Sequence, residues 1–570
     1  MNLREIWKLL PSKYKKRGVG VALSVFVQAL LNFIGLAALI PVLAILLNTS
    51  GAEQPVVTGN LAMLSRMTDV ELSARVVCAG VFCIIVFKNI LIALLGNFQI
   101  RYVNSLYCYF SEKLYINYFQ QGLSFVKESN TTSLSNKING VCYTFAQGVI
   151  SRLFTIGGDM ILFFLIWSAL LVYSPLLAFI MFICFIPAGL LYYYAVKHNL
   201  ERYGKTGNEF RRKQLRLVSE TFAGYVEVCI NNAFSLFYDR FKKNLKEISY
   251  YRERTDKVLR IPAGIIECAV AGVMILMVLF IRENASMTFS LGIFAIASLR
   301  LLPAVRNIVT GWAQLKNNSY AVEPIREMYQ FEAHDKDVSG SSYDSKNFHF
   351  NDKVIVDNVS YTFIYNGEES LSVLNNFSMT LNKGEKLGIR GASGIGKTTL
   401  FNLLLGFYSP QKGQITIDGI PLSKANIPLW HTLVSYVPQY VFIIDGTIAE
   451  NVAFGCDICE IDRNQVVDAI NKASLFDFVS SLPDGINTNI GENGCRISEG
   501  QRQRIGIARA LYKKSKVLFF DEATSSLDTV TEHEIIDTIH GLSSQFNELT
   551  IVMITHREST LDFCDRVMEM

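Results

Sequence analysis

Long runs of apolar residues with few charges fill the chain up to about residue 312, and they constrain its fold more than any other feature. A helix needs about 20 such residues to cross roughly 30 Å of hydrocarbon. Only 18% of the residues are charged, whereas a soluble domain has roughly 25%, so the composition excludes an ordinary soluble protein. We predict six transmembrane helices, at about residues 19–47, 76–95, 261–281 and 289–309, with two more within residues 153–196 on either side of Ser174-Pro175.

Basic residues predict the orientation of these helices. Residues 13–17 are rich in lysine and arginine, and the connections after the second and fourth helices are long and basic. The positive-inside rule therefore places both termini in the cytoplasm. We interpret residues 13–17 as a topology determinant, with a lipid-headgroup anchor as the alternative. After about residue 350 the pattern becomes that of a soluble domain, which predicts a transmembrane domain at 1–320, a linker at 321–350 and a cytosolic domain at 351–570.

Charged residues lie inside several of the predicted transmembrane helices, where burial is costly and such groups usually face a bundle interior or a cavity. They are Lys88, Asp159, Glu267, Arg300 and Arg306. One interpretation is a cationic cavity, lined by Lys88, Arg300 and Arg306, that accepts an anionic substrate. The other is internal ion pairing of Lys88 with Asp159 or Glu267.

Two further classes of partner are not indicated by the sequence. The net charge of +4 is too small for this length to indicate nucleic acid, and we expect no nucleic-acid partner. Cys456 and Cys459 form a single CxxC without a second pair, which predicts a plain loop rather than a metal site.

A glycine-rich loop is the strongest motif of the second half. The octapeptide GASGIGKT lies between a strand-like run and a helix-like run. Glycines in such a loop let backbone N–H groups surround phosphate oxygens, and the N-terminus of the following helix favours negative charge. We predict that Lys397 contacts the β- and γ-phosphates and that Thr398 ligates Mg²⁺. The predicted nucleotide-binding residues of the loop are Gly391, Ala392, Ser393, Gly394, Ile395, Gly396, Lys397, Thr398 and Thr399.

Two acidic residues follow a short apolar run farther along the chain. Residues 517–520 predict a buried strand that ends at Asp521 and Glu522. Asp521 fits the role of holding Mg²⁺ beside a nucleotide, and Glu522 is placed to activate water as a general base. An acidic pair that only caps a helix is the structural alternative.

Further motifs resemble those of ATP-binding cassette (ABC) transporters. The tract RISEGQRQRIGIARAL at 496–511 resembles the family signature, LSGGQ followed by a basic, Ala-rich helix. SYVPQ, ITHR and SSLD resemble the Q-loop, switch and D-loop, which gives Gln439, His556 and Asp528. TNIGENG at 488–494 is similar to a segment of export-type cassettes. The chain is thus identified as an export-type half-transporter: a membrane α-helical bundle of six helices with the ABC exporter fold, plus a cytosolic α/β P-loop NTPase cassette.

The resemblance implies a composite ATP site. Cassettes of this family bind ATP between two copies arranged head to tail, so the signature residues Ser498, Gly500 and Gln501 are implied to face the P-loop of a second chain. One cassette per chain implies a dimer, with a homodimer as the default. The D-loop residue Asp528 is implied to contribute to the same composite site.

The remaining nucleotide contacts also follow from the resemblance. Gln439 is implied to sense Mg²⁺ and the γ-phosphate, and His556 to contact the γ-phosphate beside the catalytic Glu522. An aromatic side chain stacks on adenine in this family. Phe363 aligns best with that position, and Tyr365, two residues on, is the alternative. The implied cofactors are ATP and Mg²⁺.

One residue departs from the family pattern. Glu499 replaces a glycine of the signature, near the place where a γ-phosphate is implied. A carboxylate there repels the nucleotide unless it turns to solvent, so we expect ATP turnover, but at a reduced rate.

The sixth predicted helix indicates a substrate class. SLRLLPAVRNIVTGWAQL at 298–315 resembles a helix of bacterial flippases for lipid-linked oligosaccharides, and NFIGLAALIPVLAIL and VFKNIL are also similar to them. The resemblance implies that an anionic, lipid-linked oligosaccharide or related glycolipid crosses a bacterial inner membrane. Export of a peptide or small toxin is the alternative, and an ATP-gated channel or regulatory membrane ATPase is a third possibility.

Overall fold

The computed structural model describes residues 3–43, 74–280, 285–338, 348–365, 368–523, 533–534, 536–541 and 548–570. The chain divides into two compact units, Met1–His334 and Asp335–Met570. Residues 44–73 lie outside the described part of the chain, and so does Asp528.

The first unit is helical throughout its described part. Its α-helices, in chain order, are α1 (Leu3–Leu9), α2 (Ser12–Ala37), α3 (Ala74–Gln120), α4 (Gly122–Glu128), α5 (Thr131–Ser135), α6 (Ser151–Tyr173), α7 (Pro175–Ala223), α8 (Tyr225–Ile230), α9 (Phe234–Phe280), α10 (Ala285–Asn317) and α11 (Glu323–Val338). Six of those described, α2, α3, α6, α7, α9 and α10, have 23 or more residues. They correspond to the six helices that the sequence predicts.

Four described helical stretches are long and apolar enough to cross a membrane. They are Ser12–Leu43, Arg75–Gln120, Thr131–Tyr173 and Leu291–Asn317. The other two predicted membrane segments, 175–196 and 261–281, lie on α7 and α9, where many side chains are outside the described set. The chain is therefore a multi-pass membrane protein.

The turn between α6 and α7 has a local cause. Ser174 has extended backbone angles (φ −152°, ψ 105°), and Pro175 occupies the first turn of α7. Proline is tolerated there because its missing N–H has no partner in a first turn anyway. The indole N–H of Trp167 donates to the carbonyl of Ala178 at 3.2 Å and links the two helices across the turn. The predicted break at Ser174-Pro175 is present.

The two long connections of this unit are helical but interrupted. Between α5 and α6 the chain forms two π-helical segments, Asn136–Val141 and Thr144–Ile150. The second packs inward, where Phe145 meets Phe110 of α3 edge to face with ring centroids 5.2 Å apart. The second connection turns between α8 and α9, where Asn232 has a φ of 49°. This turn leads directly into α9, which begins at Phe234.

Helix α7 crosses the end of α10 with almost no space between the backbones. A Cβ built on Gly204 would lie 1.8 Å from the carbonyl oxygen of Asn317, whereas one on Gly207 would meet only Tyr251 Cβ, at 3.7 Å. Because a backbone oxygen cannot rotate away, we expect Gly204→Ala to force the helices apart and destabilise the protein by about 3 kcal/mol or more.

The matched control is Gly207→Ala on the same helix. It should be neutral or stabilise slightly, since alanine favours helices over glycine by about 1 kcal/mol. The thermal midpoint of the purified full chain in detergent measures both variants. Equal midpoints for the two would contradict the close crossing.

The second unit contains two sheets. Its strands are β1 (Lys353–Tyr365), β2 (Glu368–Asn382), β3 (Lys386–Arg390), β4 (Lys412–Ile417), β5 (Ile420–Pro421), β6 (Val434–Val437), β7 (Val517–Asp521), β8 (Thr550–Ile554) and β9 (Arg566–Glu569). One described sheet has the antiparallel order β2-β1-β4-β5, and the other has the parallel order β6-β7-β8-β3-β9. Ligands of parallel α/β sheets bind outside the carboxyl ends of the strands.

Helices cover the parallel sheet. Those of eight or more residues in the described part are α12 (Lys397–Leu404), α13 (Arg463–Lys472) and α14 (Glu499–Tyr512). The main core of this unit is formed by β6, β7 and β8 with α13 and α14, and all five residues of β7 and of β8 are buried. This rigid sheet fixes the strand ends from which the candidate site is built.

Candidate active site

The loop between β3 and α12 has the backbone that its glycines predict. Gly394 and Gly396 have φ angles of 84° and 118°, which L side chains rarely adopt. A Cβ on Gly396 would lie 2.5 Å from Val373 Cγ1, so space as well as conformation requires glycine there. The loop then enters α12 at Lys397, which aims the first N–H groups of that helix at the space in front of the loop.

Lys397 is buried with its ammonium group directed at the loop. Its Nζ donates to the carbonyl oxygens of Gly391 at 2.7 Å and Ala392 at 3.1 Å. The same nitrogen lies 3.0 Å from His556 Nε2. A cationic group is thereby held in the loop, at the position where a triphosphate needs a counter-charge.

Asp521 ends β7 as a buried carboxylate. Burial raises the pKa of its carboxyl above the usual range, while the hydroxyls of Tyr436 and Thr398 hydrogen-bond to it and oppose the rise. The Tyr436 hydroxyl donates to Asp521 Oδ2 at 3.0 Å. Burial and the Asp521 charge together raise the pKa of Tyr436 far above its usual value, so this phenol stays a donor.

Glu522 follows Asp521 with a left-handed backbone. Its φ is 48°, and its N–H donates to the carbonyl of Ile554 on β8 at 2.9 Å. This turn ends the strand and directs the carboxylate toward His556, whose Nε2 lies 3.3 Å from Glu522 Oε1. The Nε2 atom of His556 therefore lies close to both Lys397 Nζ and Glu522 Oε1.

One cavity of about 530 Å³ collects most of the predicted site residues of this unit. Its described lining residues are Phe363, Val373, Ser393, Gly394, Gly396, Lys397, Thr398, Thr399, Tyr436, Pro438, Gln439, Tyr440, Asp521 and Glu522. The volume lies within the roughly 300–1,000 Å³ of ligand pockets. Gly391, Ala392 and Ile395 belong to the same loop outside this lining.

Of the two aromatic residues that the sequence offers for adenine stacking, Phe363 is the one among the described residues that line the cavity. Its ring packs edge to face against Tyr361 at 5.2 Å and Tyr408 at 5.9 Å, and those two tyrosines stack on each other at 5.2 Å. A ring held in this way can offer its face to a purine base. The backbone of Tyr365 ends β1, but its side chain lies outside the described residues.

The signature residues form a helix start rather than part of the cavity. Ser498 caps α14 in a capping box, in which Gln501 N–H donates to Ser498 Oγ and Ser498 N–H donates to Gln501 Oε1. The described residues that line the cavity do not include Ser498, Gly500 or Gln501. Inside the same unit, Gln503 Nε2 of α14 donates to the carbonyl of Gln439, which ties this helix to the Q-loop.

The donor set near Asp521 fits Mg²⁺. The Thr398 hydroxyl and the Asp521 carboxylate are hydrogen-bonded neighbours, and hard oxygen ligands of this kind suit magnesium. A divalent cation there would also favour the ionised carboxylate that burial disfavours. Among the described residues no group of three or more His, Cys, Asp or Glu side chains could hold a metal. Two protein ligands are sufficient when phosphates and water complete the octahedron.

In the first unit the intramembrane charges have polar neighbours. Lys88 is 3% exposed, and its Nζ donates to Asn32 Oδ1 on α2 at 3.3 Å. A Cβ on Gly35 would lie 2.9 Å from that Nζ, so the lysine passes directly over this glycine. The ammonium lies within electrostatic range of Arg300 on α10. The structure thus brings two of the three predicted cavity cations into one region.

The other intramembrane charges are arranged differently. Arg306, about 120° around α10 from Arg300, is exposed, as is Arg300 itself. Asp159 lies beside Asn307 and keeps a buried Oδ2 with no hydrogen-bond partner among the described residues. Asp159 thus contacts the amide of Asn307, and Lys88 donates to the amide of Asn32. Among the described residues, Lys88 and Asp159 do not form the ion pair that the second interpretation of the sequence predicts.

Comparison with known proteins identifies the domain that carries the site and the fold of the chain. The family model described as ABC transporter matches residues 374–525. The solved structure of a bacterial Atm1-family ABC exporter with ATP bound is similar to this chain with a TM-score of 0.76. The match covers 98% of this chain and 93% of that chain, at 21% identity. Residues 374–525 therefore form an ABC transporter domain. The fold of the chain is that of an ABC exporter, with one membrane unit and one cassette per chain.

Curated relatives of this chain carry the name ATP-dependent lipid A-core flippase. The one from Francisella tularensis subsp. holarctica (strain OSU18) is 32% identical over 361 residues, 62% of this chain and 57% of that protein. The one from Burkholderia orbicola (strain AU 1054) is 27% identical over 493 residues, 83% of this chain and 78% of that protein. The chain thus spans little more than half the length of the Francisella relative.

Sequence reasoning missed Tyr436, which contacts Asp521 in the candidate site. Tyr436 lies on β6 opposite Phe519 of β7, and its hydroxyl reaches the end of β7 at Asp521. The available signal was its place three residues before Gln439, on a strand that leads into the Q-loop. The contact with Asp521 could not be predicted from that position alone, because it depends on the pairing of β6 with β7, which lie about eighty residues apart in the sequence.

The side chain of Glu499, in the signature, lies next to Arg502 on the same helix, α14. Its Oε2 lies 3.7 Å from Arg502 Nε, and its side chain is 32% exposed. Its Oε1 is buried without a hydrogen-bond partner among the described residues. The carboxylate is therefore partly neutralised rather than turned fully to solvent.

This arrangement predicts opposite effects of two substitutions on the KM for ATP. Glu499→Gly should lower KM and Arg502→Gln should raise it, each roughly two- to fivefold, the scale of a partly exposed ion pair. High salt should reduce both effects by screening. ATP turnover measured over a range of ATP concentrations tests this prediction, and a KM that moves in the same direction in both variants would contradict it.

Proposed function

We propose that this chain is one half of a dimeric transporter that uses ATP to move an anionic lipid-linked oligosaccharide or related glycolipid across the membrane. The observation that carries the proposal is the cavity in which the phosphate loop, Asp521, Glu522 and Phe363 come together. The relatives named lipid flippases support the lipid class. We assign the membrane domain to 1–320, a linker to 321–350 and the cassette to 351–570.

The chain's own residues supply each role that ATP hydrolysis needs. Lys397 moves from the carbonyls of Gly391 and Ala392 to the β- and γ-phosphates, since phosphate oxygens are stronger acceptors for an ammonium than amide carbonyls. Thr398 and Asp521 would hold Mg²⁺, which would neutralise phosphate charge when bound. Gln439, which lines the same cavity, would contact the metal and the γ-phosphate.

Glu522 is the general base and His556 its neighbour at the γ-phosphate. The Glu522 carboxylate lines the cavity, where it would take the proton of a water molecule as that water attacks. His556 Nε2, 3.0 Å from Lys397 and 3.3 Å from Glu522, can donate to a γ-phosphate oxygen once Lys397 has shifted. Phe363 stacks on the adenine.

A second chain completes the site. Ser498, Gly500 and Gln501 lie outside the lining of their own cavity, although they start a helix whose N–H groups suit phosphate. In a head-to-tail dimer they close the partner's cavity, and Asp528 joins them there. Each chain carries both halves, so we propose a homodimer. ATP closes the pair, and hydrolysis opens it again.

The substrate class follows from the cationic residues of the membrane domain. Lys88 and Arg300 lie within electrostatic range of each other, and Arg300 and Arg306 are exposed on α10. A diphosphate carries the charge that would offset such a cluster. We place the transporter in a bacterial inner membrane with both termini in the cytoplasm, as the basic segments of the sequence indicate.

ATP turnover in phosphatidylcholine nanodiscs, with and without a polyprenyl-pyrophosphate oligosaccharide, tests the substrate class. The glycolipid should stimulate the wild type and should no longer stimulate Lys88→Gln/Arg300→Gln/Arg306→Gln. The matched control, Lys243→Gln/Lys246→Gln/Arg252→Gln, removes the same charge from exposed positions of α9 and should keep the stimulation. Stimulation that survives in the first variant would overturn the cavity assignment. Wild-type turnover that is indifferent to the glycolipid would favour a peptide substrate.

A further inference from the structure

An apolar groove of about 540 Å³ lies between α1 and the beginning of α6, and none of its described lining residues is among those assigned to transport. Its surface is almost entirely apolar. The residues that line it are Ile6, Trp7, Leu10, Ile150, Leu153 and Phe154, together with Arg4 and Lys8. Arg4 and Lys8 are both exposed, so the groove combines an apolar surface with two cationic side chains at its edge.

The charges of α1 are sorted between its two sides. Arg4 and Lys8 are four residues apart and therefore share one face of the helix. Glu5 lines a separate cavity, and it interacts electrostatically with Arg326 there. Among the described residues that line the groove, no acid offsets the two cations.

The groove lies where two membrane helices begin. α1 leads through Pro11 into the membrane stretch that starts at Ser12, and Leu153 is at the start of the apolar part of α6. Trp7 is 45% exposed, and its ring lies 3.7 Å from where a Cβ on Gly18 would be. Tryptophan is enriched at the membrane–water interface because its ring is apolar and its N–H is polar. These features are typical of a groove at the depth of the lipid headgroups.

We propose that this groove binds one anionic phospholipid of the adjacent leaflet, as a site separate from that of the transported lipid. An acyl chain lies against Ile6, Leu10 and Phe154, where it covers apolar surface that water would otherwise contact. The phosphate lies between Arg4 and Lys8. A zwitterionic lipid covers the same apolar surface, but its own cationic group competes with the two side chains. The groove therefore selects lipids by charge.

Trp7 reports directly on the lipid in the groove. The full chain is placed in phosphatidylcholine nanodiscs that contain a small, equal fraction of either brominated phosphatidylglycerol or brominated phosphatidylcholine, since bromine quenches indole emission on contact. The emission of Trp7 is obtained by subtracting the emission of Trp7→Phe from that of the wild type. This subtraction removes the contribution of Trp167, Trp312 and Trp430. The readout needs no ATP and does not depend on the proposed transport.

We expect brominated phosphatidylglycerol to quench Trp7 with an apparent affinity roughly tenfold higher than brominated phosphatidylcholine, the scale for two basic side chains at one anionic headgroup. Arg4→Gln/Lys8→Gln should abolish the preference, and the charge-keeping exchange Arg4→Lys/Lys8→Arg should retain it. The control Lys13→Gln/Arg17→Gln removes equal charge from exposed positions of α2 outside the groove and should also retain it.

Three results would overturn the proposal. Equal quenching of wild-type Trp7 by the two lipids would show that the groove does not select by charge. A preference that persists in Arg4→Gln/Lys8→Gln would show that other residues select the lipid. Loss of the preference in the charge-keeping exchange or in Lys13→Gln/Arg17→Gln would show that a diffuse basic surface, rather than the groove, attracts the lipid.

Discussion

Replacing Glu522 by glutamine is expected to lower steady-state ATP turnover about 10²- to 10⁴-fold, the usual contribution of a general base. The amide keeps the shape of the side chain and can still accept from His556, which lies 3.3 Å from Glu522 Oε1. It cannot take a proton from water. Asp521, Lys397 and the loop glycines are unchanged, so the affinity for ATP should stay close to that of the wild type.

The control for this substitution is Glu548→Gln. Glu548 is an exposed residue ahead of β8 that pairs with Lys383 at 2.9 Å on the surface. A surface pair of this kind contributes little to stability, and turnover should remain at the wild-type level. Turnover of Glu522→Gln within tenfold of the wild type, with ATP still bound, would show that another group activates the water.

Replacing Lys397 by alanine is expected to weaken ATP binding roughly ten- to hundredfold, the scale of a hydrogen bond between charged groups. The side chain is 7% exposed and already directed into the loop, so little conformational freedom is lost when it contacts phosphate. Its removal also separates His556 from a cation 3.0 Å away. The dissociation constant of ATP, measured by fluorescence titration of the purified chain, tests this prediction.

The matched control is Lys412→Ala, at an exposed position at the start of β4. It removes the same charge from the cassette and should leave ATP affinity unchanged. The thermal midpoint provides a second readout, because a ligand that binds only the folded state raises it. ATP should raise the midpoint of the control and of the wild type much more than that of Lys397→Ala. An unchanged dissociation constant for Lys397→Ala would refute the assigned role.

Much of the fold could be predicted because its signals are local. The apolar runs predict six long helices. Ser174-Pro175 predicts the turn between α6 and α7, because proline is favoured in the first turn of a helix. The π-helical segments at 136–150 carry no comparable signal, because their backbone depends on how Phe145 packs against Phe110. The contact of Gly204 with Asn317 joins residues more than a hundred positions apart, and one sequence does not show it.

The cassette site was predictable to a similar extent. The loop from Gly391 to Thr398 is one continuous motif whose geometry its own glycines determine, and it was located from the sequence alone. The contacts of Tyr436 with Asp521 and of Gln503 with Gln439 depend on how β6, β7 and α14 pack, and the sequence did not indicate them. Arg502, the neighbour of Glu499, is only three residues away on α14, so helical spacing alone could have found it.

The partners of the charged residues in the membrane helices could not be predicted from the sequence. The sequence offered Asp159 or Glu267 as the counter-charge for Lys88, but the group that accepts from Lys88 is the amide of Asn32. An uncharged residue carries no signal in a search for opposite charges. The packing of Lys88 over Gly35 places it there, which requires α2 and α3 to be adjacent.

Lipid movement itself tests the account most directly. The wild type and Glu522→Gln are reconstituted into liposomes with a polyprenyl-pyrophosphate oligosaccharide, and ATP is added outside, so that only outward-facing cassettes are active. The measured quantity is the fraction of oligosaccharide protected from an added glycosidase. The account predicts that ATP increases protection in the wild type and not in Glu522→Gln. Protection that ATP leaves unchanged in the wild type, although ATP is hydrolysed, would contradict lipid-linked oligosaccharide flipping as the function of this transporter.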